Sequence, residues 1–248
     1  MFCAMRTVLA ALFCLIATTL AAEEVELELV LLADASGSID PAEIRFQRAG
    51  YAAALTDPQV LDTIAATAYG RIAVTYVEWA AAGNEDVVVP WTIVDGPAAA
   101  EGFAEVLMAA PKRAFGRNAI GSALLKGKEL IETNDIEGWR KVIDFSGDSA
   151  NNWNGPSIAE ARAEVLSAGI VINGLAILCP ECSGRPQSGD LEREYRERII
   201  GGPGSFVVTA DNRESFGEAV IRKLILEISG PTPTPRFAGT AGERERFR

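Results

Sequence analysis

Three short polar segments carry the residues whose types and spacing point to chemistry. Asp34-Ala35-Ser36-Gly37-Ser38 sets a carboxylate and two hydroxyls at alternating positions. Gly116-Arg117-Asn118-Ala119-Ile120-Gly121-Ser122 is a glycine-flanked loop, and Ser146-Gly147-Asp148-Ser149-Ala150-Asn151-Asn152 supplies a second carboxylate. Brought to one point, these groups form an all-oxygen site of low formal charge. Such a set suits a hard divalent cation with octahedral demands, Mg²⁺ or Mn²⁺, better than zinc. The helix that opens just after Ser38 works mildly against a cation, because the partial charge at its N-terminus is positive. Asp34 and Asp148 have to outweigh it.

The elements that position these segments are legible in the apolar pattern. Residues 25–33 (VELELVLLA) begin with alternation and end fully apolar, as a strand entering a buried sheet does. Asp40, Pro41 and Glu43 fit an N-cap, a first helical position and a capping box, and predict a helix to about residue 55. Residues 71–79 and 87–94 read as strands joined by the polar Gly83-Asn84-Glu85-Asp86 turn, with Pro90 placing the second at an edge. Helices are expected at 97–110 and 119–133, a strand at 141–145, a helix at 156–168 and a strand at 170–178. A charged helix at 190–200, a short strand at 205–209 and an amphipathic helix at 212–229 complete the series. This alternation predicts a doubly wound α/β fold: a mostly parallel central sheet with one antiparallel edge strand and helices on both faces. Ligands of such sheets bind at the carboxyl ends of the strands, which is where the three polar segments fall.

Residues 1–22 hold one charge, Arg6, then an apolar run and small residues before Glu23, the pattern of a secretory signal peptide. A phenylalanine, Phe13, stands where a lipidation motif on Cys14 requires a small residue. The expected organisation is a signal peptide over 1–22, one domain over 23–230 and a disordered, Pro-, Gly- and charge-rich tail over 231–248. Export places the chain in a periplasm or outside the cell. There Cys179 and Cys182 of Cys179-Pro180-Glu181-Cys182 are expected to close a small disulfide loop, since a zinc ribbon needs a second pair.

Composition removes several function classes. The formal charge is −11, and −12 once Arg6 leaves with the signal, so no basic face for nucleic acid is expected. The absence of histidine excludes imidazole-ligated zinc, Ser-His-Asp triads and Cys-His dyads. Gly147-Asp148-Ser149 superficially matches a lipase block, but that serine belongs early in its domain and needs a histidine base. No phosphate-binding Gly-x-x-x-x-Gly-Lys-Ser/Thr loop is present, and Gly202-Pro203-Gly204 precedes a late strand instead of following the first.

Asp34-x-Ser36-x-Ser38 after a buried strand resembles the metal-ion-dependent adhesion site (MIDAS) of von Willebrand factor type A (VWA) domains, and the second and third loops match that family in position. The resemblance runs over about residues 25–229. GYAAAL, VEW, VIDFSGD, NNWNG, INGLAI and GGPGSFV are similar to an exported bacterial subfamily of unassigned function. It implies that Ser36 and Ser38 ligate the metal directly, and that Asp34 and a fourth-strand aspartate hold it directly or through water. Two positions depart from the family pattern. Asn118 stands nearest the usual threonine, and Gly147 separates Ser146 from Asp148. Asp148 is preferred to Asp144, which lies inside the strand.

The expected function is therefore an exported, non-enzymatic binding module whose Mg²⁺ or Mn²⁺ accepts an acidic side chain of a protein partner. Trp153 and Asn151, beside the site, are the candidate partner contacts. Two readings compete with it: a metal-independent scaffold contacting partners through residues 179–200, and a metal-assisted hydrolase. Without the metal, Ser36, Ser38 and Asp40 serve only to satisfy loop and helix-start amides.

Overall fold

The computed structural model describes residues 22–37, 39–179 and 190–230. The signal peptide, the tail, Ser38 and Cys182 lie outside the described residues, apart from Ala22. The chain runs β1 (Glu23–Asp34), α1 (Pro41–Leu55), α2 (Pro58–Ala65), β2 (Ile72–Trp79), β3 (Asp86–Val94), α3 (Pro97–Ala109) and α4 (Ile120–Glu132). It continues through β4 (Ile136–Gly147), α5 (Ile158–Ser167), β5 (Val171–Ile177), α6 (Leu191–Glu194), a π-helical turn (Tyr195–Ile199), β6 (Val207–Ala210) and α7 (Arg213–Ile228).

The strands form one six-stranded sheet in the order β3-β2-β1-β4-β5-β6. Only the β2–β3 pair is antiparallel, so Pro90 sits on an edge strand where its missing N–H is harmless. Strand β1 is central, which explains its fully apolar end. Leu27, Leu29 and Leu31 pack on one side with Tyr51, Phe103, Phe216 and Leu224, beneath α1, α3 and α7. Val30 and Leu32 pack on the other with Trp79, Phe145, Leu124 and Val165, beneath α4 and α5.

Local chemistry sets the helix starts. The Asp40 carboxylate accepts from Ala42 N at 2.7 Å and Glu43 N at 2.9 Å, while Glu43 accepts from Asp40 N at 2.6 Å. Ser157 and Glu160 make the same reciprocal box on α5. Three departures from the sequence expectation have physical reasons. Helix α2 was not anticipated, although Asp57 caps it and Pro58 opens it. Strand β4 starts five residues earlier than position 141, because its first half is polar and pairs with Glu23, Glu24 and Val25 at the sheet's margin, where no apolar alternation is required. The charged segment at 190–200 is not one helix but a single α turn followed by the π-helical turn.

Candidate metal centre

The first, second and third polar loops meet at the carboxyl end of β1 and β4, and backbone hydrogen bonds tie them together. Gly37 N donates to Gly116 O at 2.7 Å, joining the first loop to the second. Trp153 N donates to Asn118 O at 2.8 Å, joining the third to the second. Gly121 N donates to Asn152 Oδ1 at 3.1 Å and Ala119 N to Ala80 O at 2.8 Å. Gly116 has a φ of 111°, a left-handed-side conformation that suits glycine, and a Cβ there would stand 2.6 Å from the Ala81 methyl.

Asp34 is completely buried at the centre of this junction. Its Oδ1 accepts from Ser36 N at 2.8 Å, and its Oδ2 is buried with no hydrogen-bond partner. A Cβ on Gly147 would lie 3.1 Å from that oxygen, so glycine is what lets β4 pass so close to the carboxylate. Burial first, and the charge of Asp148 second, push the Asp34 carboxyl up to about 7, against the lowering effect of the Ser36 hydrogen bonds and Lys112. A buried carboxylate with one unpartnered oxygen, raised by the charge of a second carboxylate, is a group that a cation would relieve.

The remaining predicted residues fall as follows. Ser36 is buried and hydrogen-bonds Asp34 through its side chain as well as its amide. Asn118 is buried, and its Nδ2 has no partner; rotation of the amide exchanges nitrogen for oxygen at that point. Asp148 is partly buried, one residue past the end of β4. Asn151 and Trp153 are exposed beside the site, and Arg117 lies over the Trp153 ring at 3.9 Å from its centroid. Asp144 belongs elsewhere: it is buried inside β4 and paired with Lys223 of α7 at 2.7 Å. Cys179 is buried and disulfide-bonded, with Cys182 outside the described residues.

Three supporting residues carried no sequence signal that singled them out. Tyr195, from the π-helical turn, donates to Gly147 O at 2.9 Å, and Trp79 Nε1 donates to Ser146 O at 3.3 Å, so two rings fix the strand end that leads into Asp148. Gln47 of α1 donates to Asp34 O at 3.3 Å. Phe115, just before the second loop, is exposed.

The donor set fits a hard divalent ion: carboxylate oxygens from Asp34 and Asp148, hydroxyl oxygen from Ser36 and an amide from Asn118. Among the described residues no group of three or more His, Cys, Asp or Glu side chains is placed to hold a metal, so such an ion would depend on hydroxyl ligands as well. No helix among the described residues is long and apolar enough to cross a membrane.

No curated protein matches the chain. Among solved structures, it is similar to proximal thread matrix protein 1 of the mussel byssus, at 16% identity over 84% of this chain and 47% of that one, with a TM-score of 0.57. A further structure of that protein is described as having a zinc-occupied MIDAS motif. It is also similar to the pilus adhesin SpaC of Lactobacillus rhamnosus GG (11% identity, 82% and 31% of the two chains, TM-score 0.58). A von Willebrand factor type A protein of Catenulispora acidiphila gives 17% identity, 82% and 43% coverage and a TM-score of 0.56. The chain spans less than half the length of each of these structures, and at such identities the likeness is one of fold. A family model described as a protein of unknown function, DUF1194, matches residues 24–232. The chain belongs to that family, and its fold is that of a von Willebrand factor type A domain.

Proposed function

We propose that this chain is an exported binding module that engages an acidic group of a protein partner through Mg²⁺ or Mn²⁺. Asp34, Ser36, Ser38, Asn118 and Asp148 would hold the ion. The observation that carries the reading is the Asp34 carboxylate: buried, unpartnered at Oδ2, and set against Asp148. When bound, the ion supplies a local positive charge with an open coordination position, which an otherwise acidic chain lacks. The chain's own residues do the rest. Ser36 N and the Ser36 hydroxyl orient Asp34, while Tyr195 and Trp79 hold the backbone before Asp148.

The surroundings suit an acidic partner. Arg117 is exposed on the second loop over the exposed Trp153 ring, and Phe115 is exposed just before that loop. In a chain of formal charge −11, an exposed guanidinium beside aromatic rings favours an acidic side chain flanked by apolar ones. The reading adopted is binding without turnover.

Calorimetric titration of Mg²⁺, then Mn²⁺, into chelator-stripped protein tests it, with Ser36→Ala and Asp148→Ala alongside. One saturable site, lost in both variants, is expected. No heat from either ion together with unchanged thermal unfolding overturns the metal reading and leaves a metal-independent scaffold.

A further inference from the structure

At the margin of the sheet opposite the metal centre, the starts of β4 and β5, the segment before β6 and the end of α7 enclose a cavity of about 940 Å³. Its walls are apolar: Trp139, Val142, Val171, Phe206 and Leu226. Trp139 and Leu226 are left 40% and 46% exposed, among the few large hydrophobic side chains the fold does not cover. The polar side chains around the cavity are committed to the fold. Asn173 Nδ2 donates to Glu227 Oε1 at 3.0 Å, Asn173 Oδ1 accepts from Phe206 N at 3.2 Å, and Glu227 is buried against Lys223. Arg140 faces Glu26 at 3.9 Å and Lys141 faces Glu28 at 3.5 Å. Such walls favour an apolar, uncharged occupant.

The chain delivers a segment of that kind. Helix α7 ends at Ile228, and the next two residues, Ser229 and Gly230, line the cavity. Arg140 fixes this exit: it donates to the carbonyls of Glu227 and Ile228, each at 2.6 Å, and a Cβ on Gly230 would stand 2.8 Å from its Nη1. The sequence that follows, Pro231-Thr232-Pro233-Thr234-Pro235-Arg236-Phe237, combines three prolines with an aromatic ring. Closely spaced prolines favour the polyproline II form, which has little conformational freedom left to lose, and aromatic-lined grooves bind it for that reason. At about 3.1 Å per residue, residues 231–235 reach about 15 Å. The two interstrand spacings from β4 to β6 amount to about 10 Å, so the prolines are long enough to cross the cavity and bring Phe237 to its far side. Residues 231–248 also hold four arginines against two glutamates, opposite in sign to the chain's formal charge of −11.

We propose that residues 231–237 of the chain's own tail occupy this cavity, with the prolines and Phe237 covering Trp139, Phe206 and Leu226. The docked segment hides an apolar surface that the domain would otherwise present to other copies or other proteins. It also directs the arginine-bearing remainder of the tail to the end of the molecule away from the metal centre, and needs no divalent ion.

Limited trypsin digestion of the native full chain, in the presence of chelator, tests this. Trypsin cuts after Arg236, inside the docked segment, and after Arg244, beyond it; a synthetic peptide of residues 229–248 gives the ratio of the two cleavages with no cavity to enter. In the native chain the Arg236 bond is expected to be cut about tenfold or more slowly, relative to the Arg244 bond, than in the peptide, because cleavage follows the undocked population. Leu226→Glu and Trp139→Ser, both at wall positions exposed enough to accept a polar side chain, are each expected to bring the ratio within about twofold of the peptide's. Tethering sets an effective concentration on the order of millimolar, so the protection is expected to be the same at two protein concentrations about a hundredfold apart. A native ratio equal to the peptide's overturns the proposal, as does protection that survives both substitutions. Protection that grows with protein concentration overturns it as well, and assigns the cavity to the tail of a second copy. With chelator present throughout, each outcome is independent of whether the metal centre binds Mg²⁺.

Discussion

Asp34 and Glu227 are both completely buried carboxyls set near a second carboxylate, and burial pushes each up to about 7. The two regions differ in where the compensating cation comes from. Glu227 and Asp144 have Lys223 of the same helix α7 between them, supplied by the chain itself. Asp34 has one carboxylate oxygen without a partner, and Lys112, which lowers its carboxyl from a distance, gives its own Nζ to Ile39 O at 2.7 Å. A carboxylate pair with a built-in cation is a structural device. A buried carboxylate with an unpartnered oxygen remains poised for a soluble ion, and the cost of that poise is carried by the fold.

The largest effect expected from this contrast is at Lys223. Lys223→Met leaves Asp144 and Glu227 buried together without a cation, and is expected to lower stability by about 3–5 kcal/mol at neutral pH, measured by urea unfolding. Lys223→Met combined with Glu227→Gln should recover part of the loss. A change below about 1 kcal/mol in the single variant would show that the lysine is not what holds the pair.

The metal centre is expected to answer with the opposite sign. Asp34→Asn keeps an oxygen for Ser36 N but removes the buried charge, so the metal-free protein should gain about 1–3 kcal/mol at pH 8 while losing Mg²⁺ binding. Unfolding curves and calorimetry on the same preparation separate the two. Destabilisation by Asp34→Asn in metal-free buffer would break the comparison, because it would mean that the ionised Asp34 is already well compensated.

How much of this was legible in the sequence differs between the two regions for a physical reason. The mostly parallel sheet with its antiparallel edge and the loop cluster were within reach because buried strands are apolar and ligand loops are punctuated by Gly, Ser, Asp and Asn; the strand order was not. The Asp40–Glu43 box likewise announced α1 from its own residues. Lys223, Glu227, Asp144 and Asn173 come from three separated elements, and nothing in the local pattern of α7 distinguishes a buried lysine from one of the solvated charges of an amphipathic helix. Tyr195 was hidden for a similar reason: its role depends on a π-helical turn that carries it to Gly147 O. Helix α2 was the avoidable omission, since Asp57-Pro58 is as clear a helix start as Asp40-Pro41.

The pH dependence sharpens the contrast further. Both carboxyls have folded values near 7, above their unfolded ones, so the native chain binds more protons than the unfolded chain between about 4 and 7. Their contribution to stability is fully present below that window and is lost as pH rises through it, at up to about 1.4 kcal/mol per pH unit for each group. Saturating Mg²⁺ is expected to remove the Asp34 share, because the ion replaces the proton, and to leave the Glu227 share untouched. Stability measured from pH 4.5 to 8 with chelator and with Mg²⁺ should therefore give two lines that diverge upward in pH. Parallel lines would mean that Mg²⁺ does not act on Asp34.

The smallest expected effect on the fold lies at Trp153, and that smallness is informative. Its ring is 58% exposed and stacks with Arg117, so Trp153→Ala should change unfolding by less than about 0.5 kcal/mol. Its main-chain N–H, which ties the third loop to Asn118 O, survives the substitution, so Mg²⁺ affinity should also stay within about twofold. A large aromatic kept on the surface without a role in stability or metal holding has the properties of a contact residue. A short peptide with one glutamate among apolar residues, titrated in the presence of Mg²⁺, should bind about five- to tenfold more weakly to the Trp153→Ala protein, an effect in the range of a modest interface hot spot. Equal peptide binding would move the contact surface to Phe115 and Arg117, while a loss of Mg²⁺ affinity would make Trp153 part of the scaffold instead of the face it presents.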